Sequence, residues 1–167
     1  MIVVLMGVCG CGKTAVGRAL AQALDWSFLD ADDFHPLGNV AKMAAGTPLT
    51  DDDRWPWLHA IAAAIDAARA GGQSAVVACS ALKRAYRDIL VGSRPDVVLV
   101  YLQGSHDLLA RRAAARTGHF MPPALLDSQF ATLEEPAPEE RAIVVSVDAA
   151  PEAIVDAVIT QLRERTA

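Results

Sequence analysis

The chain has 167 residues, 53% of them hydrophobic, with a formal net charge of −5 at neutral pH and a pI near 5.3. That length suits one domain with a sizeable core and leaves little room for a second catalytic module. The acidic balance supplies no basic stripe for a nucleic-acid backbone, and the alanine-rich apolar fraction contains no run long enough to span a bilayer, so a small-molecule partner is expected.

Met1 leads directly into the apolar run Ile2-Val3-Val4-Leu5-Met6, which reads as a strand. No basic segment precedes it and no cleavage site follows, so no signal peptide is read and a cytoplasmic location is expected. Next comes Gly7-Val8-Cys9-Gly10-Cys11-Gly12-Lys13-Thr14, which fits the phosphate-loop pattern G-x-x-x-x-G-K-[ST] between a strand and a helix. Its backbone N–H groups and the start of the following helix form an anion cradle. Lys13 then reaches the β/γ-phosphates and Thr14 ligates Mg²⁺. A nucleoside triphosphate is the implied ligand. Cys9 and Cys11 sit in this loop as small side chains whose thiols leave it open to oxidation, and with Cys79 they form neither a C-x-x-C pair nor a zinc pattern.

Val16, Ala19, Leu20, Ala23 and Leu24 recur at helical spacing, which predicts a helix with that face on a sheet. Further strands are expected near 26–30, 74–79, 96–102 and 142–147. Helices are expected near 53–70, 82–91, 105–116 and 151–165, with Asp51 to Asp53 capping the first of these. This alternation is the pattern of an α/β domain built on a mostly parallel sheet, whose ligands bind at the carboxyl ends of the strands. Residues 117–138 break the alternation, because Gly118, Pro122, Pro123, Pro136 and Pro138 bracket a short apolar helix, Ala124 to Leu133. A lid over the nucleotide is expected there.

Residues just past the strand ends carry the candidate chemistry. Asp30, Asp32 and Asp33 follow the second strand beside the phosphate loop; Asp32 is assigned to the accepting hydroxyl and Asp30 to the water shell of Mg²⁺. Arg54 stands among aspartates and tryptophans at a helix start, free either to fork onto a substrate carboxylate or to pair with its acidic neighbours. Lys83 and Arg87 lie one helical turn apart after the third strand, and either could meet an anionic substrate or face solvent. In the expected lid, Arg116 is assigned to the transferring phosphoryl group and Arg112 to the nucleotide. His119 is a substrate contact or a packing residue.

Together these segments resemble the gluconokinase family of P-loop small-molecule kinases. The resemblance rests on M-G-V-x-G-x-G-K-[ST] at 6–14, F-L-D-x-D-x-x-H-P at 28–36 and K-M-x-x-G-x-P-L-x-D-x-D-R-x-P-W-L at 42–58. To these it adds C-S-A-L-K-x-x-Y-R-D-x-L at 79–90 and G-H-F-M-P-x-x-L-L-x-S-Q-F-x-x-L-E-x-P at 118–136. It implies five parallel strands in the order 2-3-1-4-5 with helices on both faces, ATP and Mg²⁺ as cofactors, phosphorylation of D-gluconate at its 6-hydroxyl, and a homodimer. Carried over by residue, it implies a nucleotide site at Gly7 to Thr14, Asp32 beside the accepting hydroxyl, and Arg54 on the sugar-acid carboxylate. His35, Lys83, Arg87, His119 and Gln129 are implied in the substrate pocket. Shikimate or nucleoside monophosphate phosphorylation would use the same scaffold, but the C-S-A-L-K and G-H-F-M-P segments weigh against both. A guanine-nucleotide switch lacks its Asn-Lys-x-Asp reader, and intact Lys13, Thr14 and Asp32 argue against an inactive scaffold.

Overall fold

The computed structural model describes residues 1–115 and 123–166, so Arg116, His119 and part of the expected lid lie outside the described residues. Five strands, β1 (Ile2–Met6), β2 (Ser27–Asp30), β3 (Ala75–Ala78), β4 (Val97–Gln103) and β5 (Ile143–Ser146), pair in parallel in the order β2-β3-β1-β4-β5. This is the expected order. The apolar stretch Ile2–Met6 becomes the central strand, in register with β3 through Ile2↔Ala75 and with β4 through Ile2↔Val97. Because successive side chains alternate across a strand, this run supplies both faces of the sheet. Val3 and Leu5 join a core with helices α1 (Lys13–Leu24), α5 (His106–Ala115), α6 (Pro123–Thr132) and α7 (Pro151–Thr166). Ile2, Val4 and Met6 join a second core with α3 (Asp51–Ala70) and α4 (Arg84–Leu90).

Two local expectations shift. The buried stripe of α1 is Val16, Gly17, Leu20 and Ala21, whereas Ala19 and Ala23 are exposed. A Cβ on Gly17 would lie 2.6 Å from the Phe28 ring, so the missing side chain lets the helix approach the sheet more closely than the alanine positions would. The cap of α3 stands one residue before the aspartates. Thr50 is its N-cap, in a capping box with Asp53, and Asp51 to Asp53 occupy the first turn, where acidic side chains meet the positive helix end. Pro56 sits inside this helix, which continues because Trp57, Leu58, Ile61 and Ile65 are buried on its far side.

A helix absent from the sequence reading, α2 (Leu37–Ala44), follows a 3-10 turn over Ala31–Phe34. Pro36 precedes it with no side-chain cap, and Leu37, Val40 and Met43 are exposed. Among the described residues no helix is long and apolar enough to cross a membrane.

Candidate active site

All five strands point the same way, so the ends of β1, β2 and β3 bring Gly7, Ala31 and Cys79 to one edge. There the phosphate loop turns into α1. Gly12 takes φ 97° at the N-cap, a left-handed conformation open to glycine at little cost. Gly7 is required by proximity, since a Cβ there would lie 2.7 Å from Cys11 Sγ and 2.9 Å from the Leu102 carbonyl oxygen. Cys11 is therefore a packing residue of the loop, 2% exposed and seated over Gly7. Burial raises the Cys9 thiol above its ordinary value, partly offset by Lys13, which keeps it protonated and weakly nucleophilic. Lys13 Nζ donates to the Gly7 and Val8 carbonyl oxygens at 2.9 and 3.0 Å, holding its charge at the mouth of the loop.

The β2 carboxylates are tied to this loop. Thr14 Oγ1 donates to Asp30 Oδ2 at 3.1 Å, and the other oxygen of Asp30 accepts from the Asp32 backbone N–H at 3.1 Å. Asp30 thus caps the 3-10 turn that presents Asp32 and joins it to the first turn of α1. A hydroxyl and a carboxylate are hard oxygen donors of the kind magnesium takes, and a phosphate-borne ion needs only one or two from the protein. The donor set fits. Among the described residues no group of three or more His, Cys, Asp or Glu side chains could hold a metal ion by itself.

Asp32 is solvent-accessible, yet local desolvation raises its carboxyl above the ordinary range, and the Asp30 carboxylate adds to the effect. A proton acceptor gains basicity by such a shift. Next to it, His35 stacks on Trp57 with ring centroids 4.4 Å apart and planes 10° from parallel. Desolvation lowers the His35 pKa and Arg54 lowers it further, against the pull of Asp32, so the imidazole is neutral at pH 7. Asn39 Nδ2 lies 3.4 Å from His35 Nδ1, which assigns the ring proton to Nε2, and also donates to the Asp53 carbonyl at 2.9 Å. The Trp57 indole donates to the Ala31 carbonyl at 2.7 Å, so the pocket wall is pinned to the strand edge.

Beyond His35 stands a cationic end. Arg54 Nη1 and Lys83 Nζ both donate to Asp51, at 3.3 and 2.9 Å, and each cation lies within 6 Å of the Tyr86 ring. Asn39 links His35 to the Asp53 carbonyl, one residue before Arg54, and His35 feels the charges of both Asp32 and Arg54, so a strip of side chains runs from the phosphate loop to these cations.

Three expected site residues make contacts within the protein. Arg87 is 2% exposed and its guanidinium is fully engaged: Nε and Nη2 reach Glu140 at 2.5 and 2.9 Å, and Nη1 donates to the carbonyls of Ala81, Leu82 and Glu134. It braces the turn after β3, where buried Ala81 takes φ 45°, and all three of its guanidinium nitrogens are engaged within the protein. The one-turn spacing from Lys83 misleads because Lys83 is the extended N-cap of α4, outside the helix. Gln129, on α6, accepts from the Cys9 backbone N–H at 2.9 Å and so sits on the phosphate loop. Arg112 donates to the Val147 carbonyl just past β5 at 2.6 Å. Asn39, Asp51 and Tyr86 were missed as site residues. Only Asp51, three residues before Arg54, carried a signal in its spacing.

Residues 9–163 match the family model of shikimate kinase. The chain is 51% identical to the probable gluconokinase of Xenopus tropicalis, over 89% of this chain and 86% of that protein. It is 43% identical to the thermoresistant gluconokinase of Escherichia coli (strain K12), over 98% and 94%. The crystal structure of a gluconokinase from Sinorhizobium meliloti 1021 superimposes with a TM-score of 0.85 at 47% identity, covering 97% of this chain and 91% of that one. A phosphate loop, an adjacent carboxylate edge and these relatives at close to full length place the chain, within the shikimate-kinase-like P-loop proteins, in the gluconokinase family.

Proposed function

We propose that the protein transfers the γ-phosphoryl group of ATP to the 6-hydroxyl of D-gluconate, giving 6-phospho-D-gluconate and ADP. The observation that carries this reading is the polarity of the strip: a carboxylate of raised basicity beside the phosphate loop, a neutral imidazole between, and two cations at the far end. Gluconate has the matching polarity, with a hydroxyl at one end, a polyol chain between and one carboxylate at the other. Arg54 and Lys83 take the carboxylate, His35 Nε2 donates to a chain hydroxyl, and Asp32 meets the terminal hydroxyl.

In the transfer, the 6-oxygen forms a bond to the γ-phosphorus as the bond to the β,γ-bridging oxygen breaks. The hydroxyl proton passes to Asp32 and ADP leaves. The amides of Gly7 to Thr14 and the Lys13 ammonium hold the phosphates; Thr14, with Asp30 in the water shell, would hold Mg²⁺, which would supply charge neutralisation there. Arg112 is assigned to the nucleotide, Arg116 to the transferring group, and His119 to the substrate beneath a lid spanning 117–138. A single cytoplasmic domain acting as a homodimer completes the reading, with sedimentation as the check on assembly.

The test is ADP release with ATP and Mg²⁺ against gluconate, other sugar acids, shikimate and nucleoside monophosphates. Turnover with gluconate well above all others is expected. Faster turnover with any other acceptor overturns the assignment.

A further inference from the structure

Asp51 stands at the first position of α3, away from the phosphate loop, and three donors from two helices and a cap converge on it. Its Oδ1 accepts from Arg54 Nη1 at 3.3 Å and from the Tyr86 hydroxyl, and its Oδ2 accepts from Lys83 Nζ at 2.9 Å. Tyr86 is 4% exposed and fixed in the second core, so its hydroxyl is a rigid anchor for this carboxylate. The Tyr86 and Lys83 hydrogen bonds hold Asp51 below the ordinary carboxylate range, which keeps it ionised at neutral pH.

Asp51 does not saturate the cations. All of Arg54's hydrogen bonds to described residues leave from Nη1, so Nε and Nη2 have no partner among them, and Lys83, which engages Asp51 and the Tyr86 hydroxyl, keeps a further proton. The carboxylate anchors one corner of each cation and leaves the rest for another anion. Charge points the same way, since two cations and one carboxylate sum to one positive charge, which a single substrate carboxylate neutralises. Aiming and charge balance are two tasks that one side chain performs here.

We propose that Asp51 is a positioning and specificity residue: anchored by Tyr86, it aims Arg54 and Lys83 at the substrate and sets the charge of this end for a monoanionic acid. The proposal rests on the gluconate reading. It assigns no chemistry to Asp51, which acts through the two cations.

Asp51→Asn retains shape while removing charge, and it separates the two tasks. Gluconate KM is expected to rise about tenfold as the aimed contacts loosen, with kcat changed less than threefold. Sulfate, a compact dianion that needs no aimed fork, is expected to become a stronger inhibitor competing with gluconate at saturating ATP, by about threefold or more, because the cations are no longer offset. Opposite movement of the two ligands is a result that loosened structure alone would not give. The proposal is overturned if both constants stay within twofold of the parent, or if both move in the same direction. Tyr86→Phe removes the anchor without removing the charge; a smaller rise in gluconate KM with unchanged sulfate inhibition is expected, and an unmoved KM overturns the anchoring even if the asparagine variant does not fold. The parent enzyme separates the two readings. No gluconate turnover by the parent sinks the assigned reaction, whereas normal turnover with unmoved variants sinks Asp51 alone.

Discussion

The two ends of the strip are built in different ways. The phosphate end is made of consecutive backbone, Gly7 to Thr14, together with Asp30 at the end of the next strand and Asp32 in the 3-10 turn that follows it. The cationic end is made of side chains from the first turn of α3 and, about thirty residues further along the chain, from the N-cap and body of α4, and they converge on Asp51. Backbone amides hold a phosphate whatever accepts it, whereas a side-chain cluster is free to vary with the acceptor. The division suits a scaffold in which the triphosphate is general and the second substrate is particular.

The largest expected effect breaks the phosphate end. Asp32→Asn should lower kcat by about 10²- to 10⁴-fold with ATP binding within twofold, as measured by steady-state kinetics and nucleotide titration. Equal turnover would remove Asp32 from the mechanism. Because its carboxyl is raised in the fold, ionising it costs stability once pH rises past the ordinary carboxylate range. The same variant should therefore melt at a higher temperature than the parent at pH 7, with the difference vanishing below about pH 4. In the parent, kcat/KM should fall on acidification through a pKa above that ordinary range, and a limb at 3.8 or below would contradict the assignment.

The second effect falls on the brace between the two ends. Arg87→Met leaves Glu140, 9% exposed at its side chain, with only the more distant Arg84 as a cation, and should cost about 3 kcal/mol in urea denaturation. Burial works to raise the Glu140 carboxyl, but Arg87 holds it below its usual value. A loss under 1 kcal/mol would return Arg87 to the list of surface cations. Third, Arg54→Ala should raise gluconate KM about ten- to a hundredfold with little change in ATP KM, and an unchanged gluconate KM would separate Arg54 from the acid. The smallest effect is local: Thr50→Ala removes the N-cap of the helix that carries the cationic end, and about 1 kcal/mol should be lost.

The phosphate end was legible in the sequence because its parts are contiguous and its flanking strand is uniformly apolar. The five strands were legible for the same reason, each within two residues of its expected ends. At the cationic end, Arg54 and Lys83 could be named by residue type, but Tyr86 reads as a core aromatic, and its hydroxyl's partner lies 35 residues away. The burial of Arg87 does not follow from its one-turn spacing from Lys83, because that spacing crosses a helix boundary where Lys83 is still extended. Helix α2 escaped because it is eight residues long, begins after Pro36 without a polar cap, and exposes its apolar side chains, so neither capping nor burial marks it.

The cysteines of this chain differ in what can reach them. Cys11 and Cys79 are each 2% exposed, and burial pushes the Cys79 thiol up to about 12, while Cys9 alone is partly accessible, on the lip of the phosphate cradle. A maleimide dye should therefore mark Cys9 before the other two, slowly because its thiol is held protonated, without any engineered cysteine. The native chain carries its own fluorescent vantage point on nucleotide arrival.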